Sequence, residues 1–244
     1  MEAEEAEAAR VEAEALAEKE MLAAEEAERQ RLEAVGAAEK ERLEAIEAKK
    51  RQPILGYWNM RGVAQSIRYL LAYVQIDYED RVYDQGDSPE FSTETWDSVK
   101  DTLDLDFPSL PYFKLEEGDI NLTGTIAILK YIVMKHEPTM LGKKPEEQGL
   151  VEMFAHVFTE LMKHASVPCY VEGIEKSAIG DNLLKEFKPI TKHLQDHSTH
   201  KFLVGNYLTY ADFMLLEIIQ RISWLTDGRL ISENAVLKQY YNEM

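Results

Sequence analysis

The first fifty residues leave this chain little choice. They hold 16 Glu, 15 Ala and 8 Lys or Arg, with one Gly and no Pro, Asp, Ser or Thr. Every frequent residue there is a strong helix former. Acidic and basic side chains recur at helical spacing, as in Glu25–Arg29 and Glu39–Arg42, where they meet on one face. The segment predicts a helical arm over residues 1–50, about 75 Å long if unbroken and stopped by Pro53. Met21 and Ala24, Leu32 and Val35, and Leu43 and Ile46 step by eleven residues. That period keeps an apolar stripe nearly straight along a helix. The stripe reads either as incidental on a solvated helix or as the seat of an elongated helical protein partner. Charge divides the arm, since residues 1–30 hold 11 Glu against 3 basic residues and residues 31–50 hold 5 of each. With no Ser, Thr, Cys, His or Tyr, the arm offers no nucleophile.

Composition narrows the rest. The net charge of -18 argues against nucleic acid and against an anionic membrane as partners. Cys169 is the one cysteine, which rules out an internal disulfide and points to a reducing, cytoplasmic setting. The charge begins at Glu2, leaving no apolar core for a signal peptide. No run approaches the roughly 18 apolar residues of a membrane span.

After Pro53 the pattern changes. Ile54–Trp58 reads as a buried strand and Gly62 opens a helix with Val63, Ile67, Leu70, Leu71 and Val74 on one face. Tyr78–Tyr83 alternates as a second strand. The polar stretch 84–95 carries turn signals. A proline-bearing loop, Leu103–Pro111, feeds a strand over Tyr112–Leu115, and Pro at a strand's start spares the ladder. Leu110-Pro111 is a candidate cis bond that would leave the Leu110 backbone free for an extended ligand. Glu116-Glu117-Gly118-Asp119 predicts a hairpin turn into Ile120–Leu122, and Thr125 opens a helix ending near His136. This order predicts a mixed α/β sheet. From Glu146 the apolar spacing turns helical. One helix carries Val151, Phe154, Val157, Phe158 and Leu161 and runs to Val167, and a second covers Asn182–His197. Thr209-Tyr210-Ala211-Asp212 predicts a capping box for a buried helix reaching Leu225.

Several motifs together resemble the mu class of cytosolic glutathione transferases. They are Gly56-Tyr57-Trp58-Asn59-Met60-Arg61-Gly62, Trp96 with Lys100, Leu105-Asp106-Phe107-Pro108 with Leu110-Pro111-Tyr112, and Ala127-Ile128-Leu129 with Tyr131-Ile132. The likeness runs from about Pro53 to the end. It implies an α/β thioredoxin-like N-terminal domain over 53–137, an all-α C-terminal domain over 146–244, and a homodimer, with the helical arm as a long N-terminal extension. It also implies glutathione as cosubstrate and a small electrophile as its acceptor. Tyr57 matches the catalytic tyrosine, whose hydroxyl would donate to the glutathione sulfur and favour the thiolate.

Trp58, Trp96 and Lys100 match residues at the glycine end of the tripeptide. Ser109, Leu110 and Pro111 match the loop along its cysteinyl part, and Gly124 and Thr125 the γ-glutamyl end. A hydroxyl and N–H at a helix start suit that carboxylate. Val63 and Tyr170 match the electrophile side, Phe107 an aromatic that inserts into the partner subunit, and Glu160 an acid that reaches the partner's ligand. Three positions depart: Gly124 stands for a Gln, Ser109 for an Asn and Thr93 for an Arg. Each lost contact costs about 0.5–1.5 kcal/mol. His193, His197 and His200 lack a carboxylate motif and predict no metal site. No Cys-x-x-Cys is present, which excludes dithiol redox chemistry. Cys169 reads as packing. The alternative to an enzyme is a scaffold or assembly subunit, cytoskeletal or axonemal, that uses the same fold for docking.

Overall fold

The computed structural model describes the backbone of residues 2–50, 52–115, 120–171 and 173–244; in the arm it describes side chains at 10, 18–19, 21–22, 25–44 and 46–47. The chain forms two compact units, Met1–Arg51 and Gln52–Met244. In the first, α1 spans Glu2–Lys50. Its stripe is exposed, from 44% at Ile46 to 66% at Leu32. Arg42 pairs with Glu39 at 3.6 Å, as the spacing predicts, whereas Arg29 pairs with Glu26 at 3.8 Å and not with Glu25. Both spacings bring side chains together on a helix, and such exposed pairs contribute little.

In the second unit, β1 (Pro53–Trp58), β2 (Glu79–Tyr83), β3 (Tyr112–Leu115) and β4 (Asn121–Thr123) form a four-stranded sheet in the order β2-β1-β3-β4. β1 runs parallel to β2 and antiparallel to β3, so the sheet is mixed as expected. The Glu116–Asp119 turn lies outside the described residues. The helix opened by Gly62 starts as a 3₁₀ turn, Gly62–Ala64, and becomes α2 over Gln65–Tyr73. Its Ile67, Leu70 and Leu71 are buried, while Val63 and Val74 sit at the margin. A short α3 covers Glu94–Asp97, and α4 runs Thr125–His136. The Leu110-Pro111 bond is cis, as is Ser88-Pro89.

The helical half departs from expectation at two prolines. α5 spans Pro145–Tyr170 and passes through Pro168 instead of stopping before it. The cost is one missing N–H in the last turn, and the Val171 N–H still bonds the Val167 carbonyl at 3.1 Å. Val157, expected on the buried face of α5, is 42% exposed. The helix expected over Asn182–His197 is two, α6 (Lys176–Glu186) and α7 (Lys188–Asp196), broken at Phe187. Pro189 falls in the first turn of α7, where its lacking N–H costs nothing.

α8 (Tyr210–Leu225) is buried almost all round and packs most against α5 and α2, the mark of a core helix. Its Thr209–Asp212 capping box is formed. Asp212, fully buried, accepts from the Leu203 and Thr209 N–H groups at 3.0 and 2.8 Å and from the Tyr240 hydroxyl at 2.7 Å. α9 (Arg229–Ser232) and α10 (Ala235–Glu243) close the chain. One core joins the two halves, with Leu55, Phe113 and Ile128 from the sheet side and Phe158, Leu215 and Ile218 from the helices. Among the described residues no helix is long and apolar enough to cross a membrane.

Candidate active site

Tyr57 sits near the end of β1, 8% exposed, between two glycines that the geometry requires. A Cβ on Gly56 would lie 2.0 Å from the Tyr112 ring. Gly62 has φ +45°, and a Cβ there would lie 2.5 Å from the Tyr57 hydroxyl; both facts select glycine. The Tyr57 oxygen accepts from the Val63 N–H at 3.4 Å. Burial raises the phenol above its ordinary value; the Val63 N–H opposes this, Tyr170 adds to it, and Arg221 and Arg68 pull it down. The hydroxyl is therefore protonated at neutral pH and carries a proton it can donate.

Tyr57 lines a cleft of about 680 Å³ with Val63, Phe91, Cys169, Tyr170 and Arg221. The loop between β1 and α2 forms one lip and is clamped twice. Arg68 donates to the Met60 and Arg61 carbonyls at 3.0 and 3.3 Å while paired with Asp80 at 2.9 Å. Arg61 reaches α8, where it donates to Glu217 and Gln220, and it also donates to the Tyr69 hydroxyl of α2 at 2.6 Å. Glu217 is buried, and burial raises its carboxyl above the usual range, opposed first by the Arg61 guanidinium. On the far wall the Tyr170 ring meets Phe91 edge-on at 5.2 Å, and its hydroxyl lies 3.4 Å from Gln85 Oε1.

Beyond Trp58 lies a second aromatic cluster. Trp96, 7% exposed, stacks on Tyr112 at 6.0 Å and meets Tyr83 edge-on at 5.3 Å. Trp58 and Leu110 pack against that cluster. Among the described residues the backbone N–H and C=O of Leu110 make no hydrogen bond. The Pro111 carbonyl accepts from the Gly124 N–H at 3.0 Å, joining the proline loop to the start of α4. Gly124 has φ +88°, a conformation that favours glycine, and open space where a side chain would stand. Thr125 opens α4 and shares a small cavity with Val63 and Glu217. Lys100 pairs with Asp97 at 2.6 Å.

The structure thus brings Tyr57, Val63 and Tyr170 into one cleft, and Trp58, Trp96 and Leu110 into one wall. Ser109 and Phe107 are exposed on the proline loop, Phe107 by 79%. Glu160 is exposed and paired with Lys163 at 2.6 Å. Arg61 falls within a motif but without an assigned role, and Glu217 and Arg221 line the cleft without any sequence pattern that reveals them. Cys169, expected to be core packing, lines the cleft with its sulfur 3.4 Å from the Arg221 guanidinium. His193 bonds the Leu203 carbonyl at 2.9 Å and stacks on His197.

Residues 53–134 match the family described as glutathione S-transferase, N-terminal domain, and residues 160–244 match glutathione S-transferase, C-terminal domain. The chain belongs to the glutathione S-transferase family. This transferase is 36% identical to glutathione S-transferase Mu 1 of Bos taurus over 167 residues, 68% of this chain and 74% of that one. It is 32% identical to a glutathione S-transferase of Dermatophagoides pteronyssinus over 194 residues, 79% of this chain and 85% of that one. Its fold superposes on the structure titled "rat hPGDS complexed with a quinoline" with a TM-score of 0.62 at 27% identity, covering 79% of this chain and 90% of that one. The arm lies outside both matched segments.

Proposed function

We propose that the protein adds the thiolate of glutathione to small electrophiles. The observation that carries this is the Tyr57 hydroxyl, a protonated phenol at neutral pH that lines a cleft large enough for a small molecule. A thiol of ordinary pKa, about 8.5, is mostly protonated at neutral pH. A donor on its sulfur shifts it toward thiolate, the attacking species. The sulfur then bonds the electrophilic carbon, and the leaving group or the displaced π pair carries the electrons away.

Trp58, Trp96, Lys100, Ser109, Leu110, Pro111, Gly124 and Thr125 form the tripeptide side of this reading, and the Tyr170 wall the electrophile side. The test is retention on immobilised glutathione and conjugation of an aryl halide, with Tyr57→Phe as the control. The variant should bind glutathione and raise the pKa of the bound thiol. An unchanged pKa on spectroscopic titration removes Tyr57 from the mechanism.

Two assemblies go with this reading. The exposed Phe107 supports a homodimer, with Glu160 reaching the other subunit's ligand; burying the ring contributes about 1.5–3 kcal/mol. Phe107→Ser should shift sedimentation toward monomer, and a dimer indifferent to the change rejects the contact. The exposed stripe of α1, repeating every eleven residues from Met21 to Ile46, supports docking on an elongated helical partner in the cytoplasm or on the cytoskeleton. Removing residues 1–51 should release the protein from its cell fraction and leave conjugation intact; unchanged fractionation rejects the arm as anchor. The comparisons lend no support to a scaffold role in place of catalysis.

A further inference from the structure

The cleft carries three charged side chains, Arg61, Glu217 and Arg221. Arg61 and the buried Glu217 neutralise each other through their hydrogen-bonded pair. Arg221 is different. It projects from α8, half-buried, and among the described residues its one hydrogen bond is to the Cys169 sulfur, a weak acceptor. The guanidinium faces a cavity walled by Phe91, Tyr170 and Trp224; Glu217, one turn away, feels its charge but is hydrogen-bonded to Arg61 instead. Its planar fork matches a carboxylate in two parallel bonds. The rest of the protein cannot supply a diffuse attraction for anions, because its net charge is -18. Attraction for an anion must come from cations at short range: Arg61 is tied to Glu217 and Lys176 lies over the Trp224 ring, 4.4 Å from its centroid, which leaves Arg221 as the cation in the cleft without an ion-pair partner among the described residues.

We infer that Arg221 selects electrophiles built from an aromatic body and a carboxylate, the ring lying against Tyr170 and Trp224 and the carboxylate on the guanidinium. This deepens the transferase reading, and its first test does not depend on turnover. With a chlorodinitrobenzoate as acceptor, the glutathione sulfur bonds the ring carbon that bears chlorine. The carbon–chlorine bond then breaks and chloride leaves with the bonding pair, the thiol proton having passed to solvent.

The experiment is titration calorimetry of the full chain, with glutathione present, against unreactive dinitrobenzoate and its neutral isostere dinitrobenzamide. The wild type should bind the acid more tightly by roughly ten- to a hundredfold, the worth of a charge-assisted contact. Arg221→Gln should bring the two affinities together, and Arg221→Lys should keep part of the preference. Equal affinities in the wild type overturn the inference, whatever the variants do; so does a preference that survives Arg221→Gln. The chloro derivatives then separate the two proposals. A binding preference without conjugation of either compound leaves the subsite standing and sinks the transferase reading. Conjugation of both without a preference does the reverse.

Discussion

On the Trp58 side of Tyr57 lies an aromatic cluster, with the Arg81 guanidinium against the Tyr112 hydroxyl. Trp96, Tyr83 and Tyr112 pack ring on ring, and the buried polar atoms meet each other, as in the 2.8 Å bond between the Tyr83 and Tyr112 hydroxyls. On the Val63 side the wall is charged. The β1–α2 loop is held by Arg68 from beneath and by Arg61 across to Glu217 on α8. The first wall gains stability from area and close packing. The second spends desolvation on a carboxylate and a guanidinium, and such pairs are often no better for stability than neutral replacements. The contrast assigns the aromatic wall to folding as much as to binding, and the charged wall to placing the loop that carries Val63.

The largest effect should therefore come from the aromatic wall. Trp96→Ala empties a buried site between Tyr83 and Tyr112 and should cost about 3–5 kcal/mol of stability, read by urea unfolding. Trp96→Phe keeps most of the packing and removes the indole N–H. If Trp96 also holds the tripeptide, Phe should weaken glutathione binding well beyond its loss of stability. Parallel losses in both would leave Trp96 as packing alone.

The two walls also differ in how legible they were. Trp58, Trp96, Leu110 and Pro111 sit in motifs that the family resemblance marks, and β1, which carries Trp58, falls where the apolar run puts it. Arg61 and Glu217 lie 156 residues apart, and Glu217 sits in a helix whose apolar run reads only as core. No local pattern links the two. The same limit explains the prolines: Pro168 and Pro189 are chemically alike, but one falls in a last turn and the other in a first. Position in the helix, set by tertiary packing, decided the outcome. Trp96 was legible as a motif residue, yet its stacking on Tyr112 was not, because that contact depends on how the proline loop lies on β3.

A smaller effect is expected from the charged wall. Glu217→Gln keeps an acceptor for Arg61, which also holds Tyr69 and Gln220, so stability at neutral pH should change by about 1 kcal/mol, while kcat/KM falls about tenfold as the ion pair that places the loop is lost. The pH dependence gives a second reading. Burial holds the Glu217 carboxyl above its ordinary range in the folded state, so the folded state binds that proton more tightly than the unfolded chain. Its contribution is full below the unfolded value, about 4.3, and is lost as pH rises through the folded one. Gln does not titrate. The stability of Glu217→Gln relative to wild type should rise as pH climbs from the unfolded value, about 4.3, through the raised folded one. A gap that narrows instead would mean the Arg61 pair stabilises the fold and the contrast between the walls is wrong.

The smallest effect concerns Lys100, the one charged residue assigned to the tripeptide side. Its ammonium lies 2.6 Å from Asp97, and Asp97 also accepts from the Thr93 hydroxyl at 2.6 Å. The Lys100 pair holds Asp97 below the ordinary carboxylate range. Thr93 stands where the resemblance expects Arg, and its hydroxyl shares Asp97 with Lys100. Exposed pairs of this kind contribute about 0–1 kcal/mol, and neither partner should matter to unfolding. Both should matter to glutathione, because Asp97 competes with the glycine carboxylate for the same ammonium. Lys100→Gln should raise the KM for glutathione about two- to fivefold, and Asp97→Asn should lower it by a similar factor. Both shifts should shrink at high ionic strength, where exposed charges are screened. If Asp97→Asn weakens binding instead, the pair orients Lys100 for the ligand, and the charge on this side belongs to the site as built.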